Sequence, residues 1–239
     1  MRDSMLKGVI FDMDGVLIDS HPVHRKAWRK FLATVGKNVQ EEHLDFILEG
    51  RRREDILRYF LGNLPESTMA EYGQRKDHFF HESFRDIKPM PGIIPFIDVL
   101  EAAGIAMGLA TSASSFRTRK TLHLLGLEGR FTAVISGDDV SSGKPDPATY
   151  TLASERMNLS PNELLVLEDA PCGVRAAKAA GMRCIGVSSN GRAEALRQAG
   201  ADSVIPSFAD MQIDKLTRLW TTIARTEPES CEPTAHDAN

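Results

Sequence analysis

Six short apolar runs, each closed by a turn or polar residue, constrain this 239-residue chain more than anything else in it. They cover residues 8–11, 105–110, 133–136, 164–167, 184–187 and 203–205. Such runs are too short for helices and read as strands buried on both faces, the kind found in parallel sheets. Between them lie helix-like segments, among them IIPFIDVLEAAG, SFRTRKTLHLLG, DPATYTLASERMN and CGVRAAKAAG. Several end in glycine, as helix C-termini do. Strand and helix alternate, so right-handed crossovers and a doubly wound parallel α/β sheet are predicted.

Residues from about 20 to 88 break the rhythm. HRKAWRKFLATVG, EEHLDFILEG, REDILRYFLGN and STMAEYGQRKDHFFHESF all read as helical, with no convincing strand among them. KPMPG at 88–92 follows as a hinge. The predicted organisation is a core of residues 1–19 and 91–225, an all-α insert at 20–90, and a polar, disordered tail at 226–239.

A net charge of −4 gives no electrostatic case for nucleic acid or an anionic membrane as the main partner. No uncharged apolar run reaches the roughly 18–20 residues of a membrane span, and MRDSMLKG does not open a secretory signal. The three cysteines, Cys172, Cys184 and Cys231, form no CxxC pair and no closed disulfide set, which predicts a reducing cytoplasm.

The first run ends in a puzzle: GVIF leads straight into Asp12, Met13, Asp14 and Gly15. Two carboxylates this close require a shared proton, a bound cation or plain exposure. Ligands of open parallel sheets bind outside the carboxyl ends of the strands, so the other strand ends matter. They supply Thr111 and Ser112, then Lys144 in SSGKPDP, then Glu168 and Asp169. Carboxylates from separate strands suit a hard cation such as Mg²⁺, and a hydroxyl with an ammonium suits a phosphate. Taken singly, Thr111, Ser112, Glu168 and Asp169 could equally cap the helices that follow, and Lys144 could be a surface lysine.

The ordered set FDMDG, LATSAS, GKPDP and LEDAPCG resembles the haloacid dehalogenase superfamily, in its phosphatase and phosphomutase branch, over about residues 5–210. The resemblance implies a Rossmann-like core with a helical cap and Mg²⁺-dependent phosphoryl transfer. Asp12 would be the nucleophile and Asp14 the general acid and base. Mg²⁺ would be held by Asp12, Asp169 and the backbone carbonyl of Asp14, with Glu168 orienting a metal-bound water. Lys144, the Thr111 hydroxyl and backbone N–H groups near Met13 and Ser112 would surround the phosphoryl oxygens. The family also suggests a cis peptide before Pro145. A small phosphorylated substrate, no nucleic acid or membrane partner, and a monomer or weak dimer complete the expectation.

HPVHRKAW, Gly50-Arg51-Arg52-Arg53 and QRKDHFF sharpen the resemblance toward the β-phosphoglucomutase-like group. By that analogy Arg53 and Lys76 would grip the substrate's distal end and His24 would time Asp14, while Ser20 stands where the mutases commonly have threonine. The expected reaction is hydrolysis of a sugar phosphate, with β-phosphoglucomutase as the alternative; water exclusion by the cap decides between them. A non-catalytic binding protein would lack Asp12, Asp14, Lys144 or Asp169, and all four are present; a dehalogenase would lack the second Asp. SGDDVSSGKP is no P-loop, because five residues separate its glycines and proline follows the lysine. His78 and His81 read as ordinary helix positions, Cys172 as a small packed residue, and Arg51 and Arg52 as a solvated face.

Overall fold

A computed structural model describes residues 5–188 and 191–226. In chain order its strands are β1 (Gly8–Phe11), β2 (Ile18–Asp19), β3 (Lys88–Pro89), β4 (Ala106–Ala110), β5 (Ala133–Ile135), β6 (Leu164–Glu168), β7 (Arg183–Val187) and β8 (Ser203–Ile205). The helices are α1 (His21–Thr34), α2 (Arg53–Leu61), α3 (Glu66–Glu82), α4 (Ile93–Ala102), α5 (Ser115–Leu125), α6 (Ala148–Met157), α7 (Pro171–Ala179), α8 (Ala193–Gln198) and α9 (Ile213–Thr226). Of the segment expected to be a tail, Thr226 closes α9 and residues 227–239 lie outside the described residues.

The main sheet has six strands in the order β5-β4-β1-β6-β7-β8, all parallel. The six apolar runs are its strands. β1 is central because all four of its residues are buried, with Val9 opposite Met107 on one side and Leu165 on the other. Its side chains alternate between faces. Val9 and Phe11 join the layer of α4 and α9, with Phe96, Leu100, Leu216 and Trp220. Ile10 joins the opposite layer of α6, α7 and α8, with Tyr150, Met157, Val174 and Leu196. The chain builds outward from β1 to β5, then returns to build β6 to β8, so the strand order reverses beside β1. A crevice opens there at the carboxyl ends.

Into the connection after β1 is inserted a helical cap of α1, a 3₁₀ segment (Glu41–Leu48), α2 and α3. It has its own apolar cluster, including Trp28, Phe31, Leu44, Leu57 and Met69. The 3₁₀ segment stands where EEHLDFIL reads as α-helix. It buries Leu44, Ile47 and Leu48, and the three-residue step from Leu44 to Ile47 matches a 3₁₀ turn. The hinge also differs from a plain loop. Lys88–Pro89 pairs antiparallel with Ile18–Asp19, so the two connections between cap and core form one small ribbon. Two-residue strands carry too little pattern to be read from sequence.

Candidate active site

The turn after β1 places the acidic pair. Gly15 adopts φ +77°, a left-handed conformation that glycine enters without Cβ strain, and a Cβ there would lie 2.3 Å from Asp169 Oδ2. The turn brings Asp12 and Asp14 to the crevice beside the end of β6. Met13, between them, is fully buried and packs in the core.

Lys144 is the hub of the buried half. The Lys144–Pro145 peptide is cis. Its ammonium, 1% exposed, donates to Asp12 Oδ1 at 2.5 Å, Glu168 Oε1 at 2.7 Å, the Tyr150 hydroxyl at 3.0 Å and the Ala110 carbonyl at 3.3 Å. Glu168 also accepts from Tyr150 and, through Oε2, from the Ala170 N–H. Carboxylate oxygens of Asp12, Glu168 and Asp169 can all lie within 4.8 Å of one another, and all three residues are buried. Burial drives the Asp12 carboxyl well above its ordinary range; Lys144 opposes this, while Glu168, Asp14 and Asp169 add to it. One ammonium facing three buried carboxylates leaves an excess of negative charge, and that excess fits a divalent cation.

Asp14 is held differently. Both of its oxygens accept from Arg117, at 2.7 and 2.6 Å, and Oδ1 also accepts from Ser20 Oγ at 2.5 Å. Burial would raise its pKa, but Arg117, then His24, override that and hold the carboxyl well below the usual range. His24 is pushed down to about 4, first by burial and then by the Lys76 charge, so it is neutral near pH 7. Its Nδ1 lies 3.5 Å from the Lys76 ammonium and its Nε2 lies 3.4 Å from Asp14 Oδ1. Nε2 lies at the same 3.4 Å from Arg117 Nη1, so the neutral ring is wedged between two cations and the Asp14 carboxylate.

A cavity of about 300 Å³ runs from these groups up into the cap, lined among others by Thr111, Ser112, Arg53, Lys76 and His81. Thr111 Oγ1 accepts from the Ala113 N–H at 3.1 Å, and Ser112 Oγ donates to the Gly50 carbonyl at 3.2 Å. Neither caps α5, whose side-chain cap is Ser114. Arg53 is held by Asp77 Oδ2 at 2.5 Å and Glu54 Oε1 at 3.0 Å. Lys76 is 4% exposed, with Asp77 Oδ1 no nearer than 3.5 Å and the rings of Phe80 and Trp28 at 4.9 and 5.5 Å. Burial pushes it down to about 8.

The structure therefore brings Asp12, Asp14, Thr111, Ser112, Lys144, Glu168 and Asp169 to one rim and hangs His24, Arg53 and Lys76 above it. Met13 is not brought to the cavity: its side chain packs in the core and its carbonyl accepts from the Leu17 and Ile18 N–H groups within the turn. His78 is exposed and faces Glu82, His81 packs edge-on against Phe116, and Cys172 is fully buried. Arg51 pairs with Glu49. Arg52 departs from the reading of a solvated face: its guanidinium donates to the carbonyls of Val140, Ser141 and Gly137 in the core. Sequence reasoning also missed Arg117 and His21, whose Nε2 sits 2.9 Å from Asp169 Oδ2. Arg117 lies in none of the quoted motifs, and His21 and Arg52 sit inside HPVHRKAW and Gly50-Arg51-Arg52-Arg53 at positions to which those patterns gave no role.

The family model for haloacid dehalogenase-like hydrolases matches residues 9–187. The chain belongs to that family. Among curated haloacid dehalogenase-like relatives, the phosphorylated carbohydrates phosphatase of Thermotoga maritima is 34% identical over 214 residues, covering 84% of this chain and 94% of that protein. A β-phosphoglucomutase of Mycobacterium bovis is 30% identical, covering 86% and 91%. The fold superimposes on a crystal structure of β-phosphoglucomutase from Clostridium difficile with a TM-score of 0.82 at 24% identity, over 91% of this chain and 98% of that one. The chain is a haloacid dehalogenase-like phosphoryl-transfer enzyme.

Proposed function

We propose that this enzyme hydrolyses the phosphate ester of a small phosphorylated sugar in two steps, through Asp12. The observation that carries the reading is the division of labour between two carboxylates two residues apart. Lys144 fixes Asp12 at the strand end, while Arg117 and Ser20 hold Asp14 to one side of it. In the first step an Asp12 oxygen attacks phosphorus, the P–O bond to the sugar breaks, and the leaving oxygen takes a proton from Asp14. In the second, Asp14 takes a proton from water as that water attacks the aspartyl-phosphate, which returns Asp12 and releases phosphate. Arg117 and His24 hold the Asp14 carboxyl below its usual range, which favours the ionised form required at the start of the second step.

Asp12, Asp169 and the Asp14 backbone carbonyl are the groups that would hold Mg²⁺, with Glu168 beside them. When bound, the ion supplies positive charge that offsets repulsion between the carboxylates and the phosphoryl group. The Thr111 and Ser112 hydroxyls, the Met13 and Ser112 N–H groups and the Lys144 ammonium surround the transferring oxygens. His24, Arg53 and Lys76 receive the sugar end. The names of the relatives support the sugar-phosphate class.

The mutase reading rests on the cap being seated on the core in this structure, which favours keeping water from the phosphorylated Asp12. One assay addresses both. The enzyme is incubated with Mg²⁺ and a sugar-phosphate panel, including β-glucose 1-phosphate primed with glucose 1,6-bisphosphate, with Asp12→Asn as control. Phosphate release dependent on Asp12 supports the hydrolase. Glucose 6-phosphate formed without matching phosphate replaces it with the mutase. Undiminished turnover by Asp12→Asn overturns both.

A further inference from the structure

The short segment linking the 3₁₀ turn to α2 is joined to the core residue by residue. The Leu48 carbonyl accepts from Arg192 at 2.7 Å, the Glu49 carbonyl from the Cys172 N–H at 3.3 Å, and the Gly50 carbonyl from Ser112 Oγ at 3.2 Å. Arg52 donates in the other direction, to the carbonyls of Val140 at 2.7 Å, Ser141 at 2.9 Å and Gly137 at 3.2 Å. A guanidinium presents its donors in a rigid planar fork that can span several carbonyls at once.

The start of the platform under Arg52, residues 136–139, has supports of its own. Asp139 Oδ2 accepts from the Ser136 N–H and hydroxyl at 2.8 and 2.6 Å, the Ser115 N–H donates to Asp138 Oδ2 at 2.8 Å, and the Gly137 N–H donates to the Ala113 carbonyl at 2.7 Å. Lys144 has its own four acceptors. On the cap side the situation is reversed. Arg52 is the N-cap residue of α2, its carbonyl accepts from the N–H groups of Asp55 and Ile56, and the next residue is Arg53 on the cavity wall. Fixing Arg52 therefore fixes the end of α2 that presents Arg53. The contact is also close-fitting: a Cβ on Gly143 would lie 2.4–2.6 Å from the Arg52 side chain.

We propose that Arg52 is a positioning residue that seats the cap, and with it Arg53, over the core. Turnover of substrates gripped by the cap depends on it, whereas phosphoryl transfer to Asp12 from a donor too small to reach the cap does not. The inference rests on the phosphatase reading above. Its test compares glucose 6-phosphate with acetyl phosphate in the full-length enzyme with Mg²⁺. Arg52→Ala is expected to lower kcat/KM for glucose 6-phosphate about 10- to 30-fold, the scale of losing a charge-assisted hydrogen bond. Acetyl phosphate should stay within about threefold. Arg52→Lys should fall between, and Gly143→Ala, which displaces the Arg52 side chain without altering it, should follow Arg52→Ala in direction. Amide hydrogen exchange gives a readout independent of turnover: faster exchange over residues 48–61 in Arg52→Ala, with residues 136–147 unchanged. Parallel loss on both substrates with faster exchange at 136–147 would make Arg52 a support of the core loop and overturn the proposal. Unchanged exchange at 48–61 would overturn it whatever the kinetics. Loss of the phosphatase reading is seen separately, as turnover that survives Asp12→Asn.

Discussion

Arg117 grips Asp14 with both arms of its guanidinium, at 2.7 and 2.6 Å, across 103 positions of sequence. The pair is mostly buried, with side chains 13% and 23% exposed, and the guanidinium also lies 5.2 Å from the Phe80 ring centroid. Asp14's folded pKa is depressed, so the stability from this pair is present above the unfolded carboxylate value of about 3.9 and is lost as pH falls through the lower folded value. Arg117→Gln should cost about 2 kcal/mol at pH 7, at the modest end for removing one partner of a buried pair because Asp14 is partly wet. The basic limb of kcat/KM, where Asp14 loses the proton it gives in the first step, should shift to higher pH as Asp14 loses its counter-charge. Urea melts at pH 7 and a pH–rate profile check both, and an unmoved basic limb would show that Arg117 does not set the ionisation of Asp14.

Lys144 is the single ammonium amid the three carboxylates of the buried cluster. Lys144→Met should abolish measurable turnover and destabilise the metal-free protein by about 3–5 kcal/mol at neutral pH, since it strands buried charge. Asp12 has a raised folded pKa, so its ionisation costs stability as pH rises through that value, and without Lys144 the cost grows. The stability gap between wild type and variant should therefore narrow from pH 7.5 to pH 5. Equal gaps at the two pH values, measured by denaturant unfolding, would contradict the account.

His21 competes for Asp169. Burial lowers its pKa, but the hydrogen bond and charge of Asp169 outweigh that and leave it raised above 6.5. The His21–Asp169 contribution to stability is thus present below the unfolded value and lost as pH rises through the folded one. An imidazolium on Asp169 opposes a cation there, so the Mg²⁺ concentration for half-maximal activity should rise about tenfold between pH 8 and pH 6. His21→Gln should flatten that dependence. A slope identical to wild type would remove His21 from the metal's pH response.

The strands and the rim were legible because β1 and β6 carry their carboxylates immediately after apolar runs, and because backbone direction alone puts both at one edge. Arg117, Arg52 and His21 were not, for a physical reason. Their roles come from partners 103, 89 and 148 positions away, and a charged residue on a helix or loop looks the same in sequence whether it faces water or a carboxylate. Lys76 was legible only through the family pattern, and its burial was not legible at all. The 3₁₀ segment and the Ile18–Asp19 ribbon escaped notice because tertiary contacts, rather than local periodicity, select them.

That burial makes Lys76 a residue held at a cost to stability. Its ammonium is pushed down to about 8, with Asp77 3.5 Å away and already committed to Arg53. Because the folded pKa lies below the unfolded value of about 10.4, the folded protein binds fewer protons between those values, and stability should rise with pH across that window. Lys76→Met keeps much of the side-chain volume among Trp28 and Phe80 and removes the buried charge. It should stabilise the substrate-free protein by about 1–2 kcal/mol at pH 7. The same change removes a cation from the cavity, so KM for a sugar phosphate should rise roughly tenfold. In wild type that KM should climb as pH passes about 8, whereas in Lys76→Met it should stay level over the same range. Thermal melts at pH 7 and KM from pH 6.5 to 9.5 read the two effects separately. A variant that is both less stable and level with wild type in KM would mean that Lys76 is a packing residue with no part in binding.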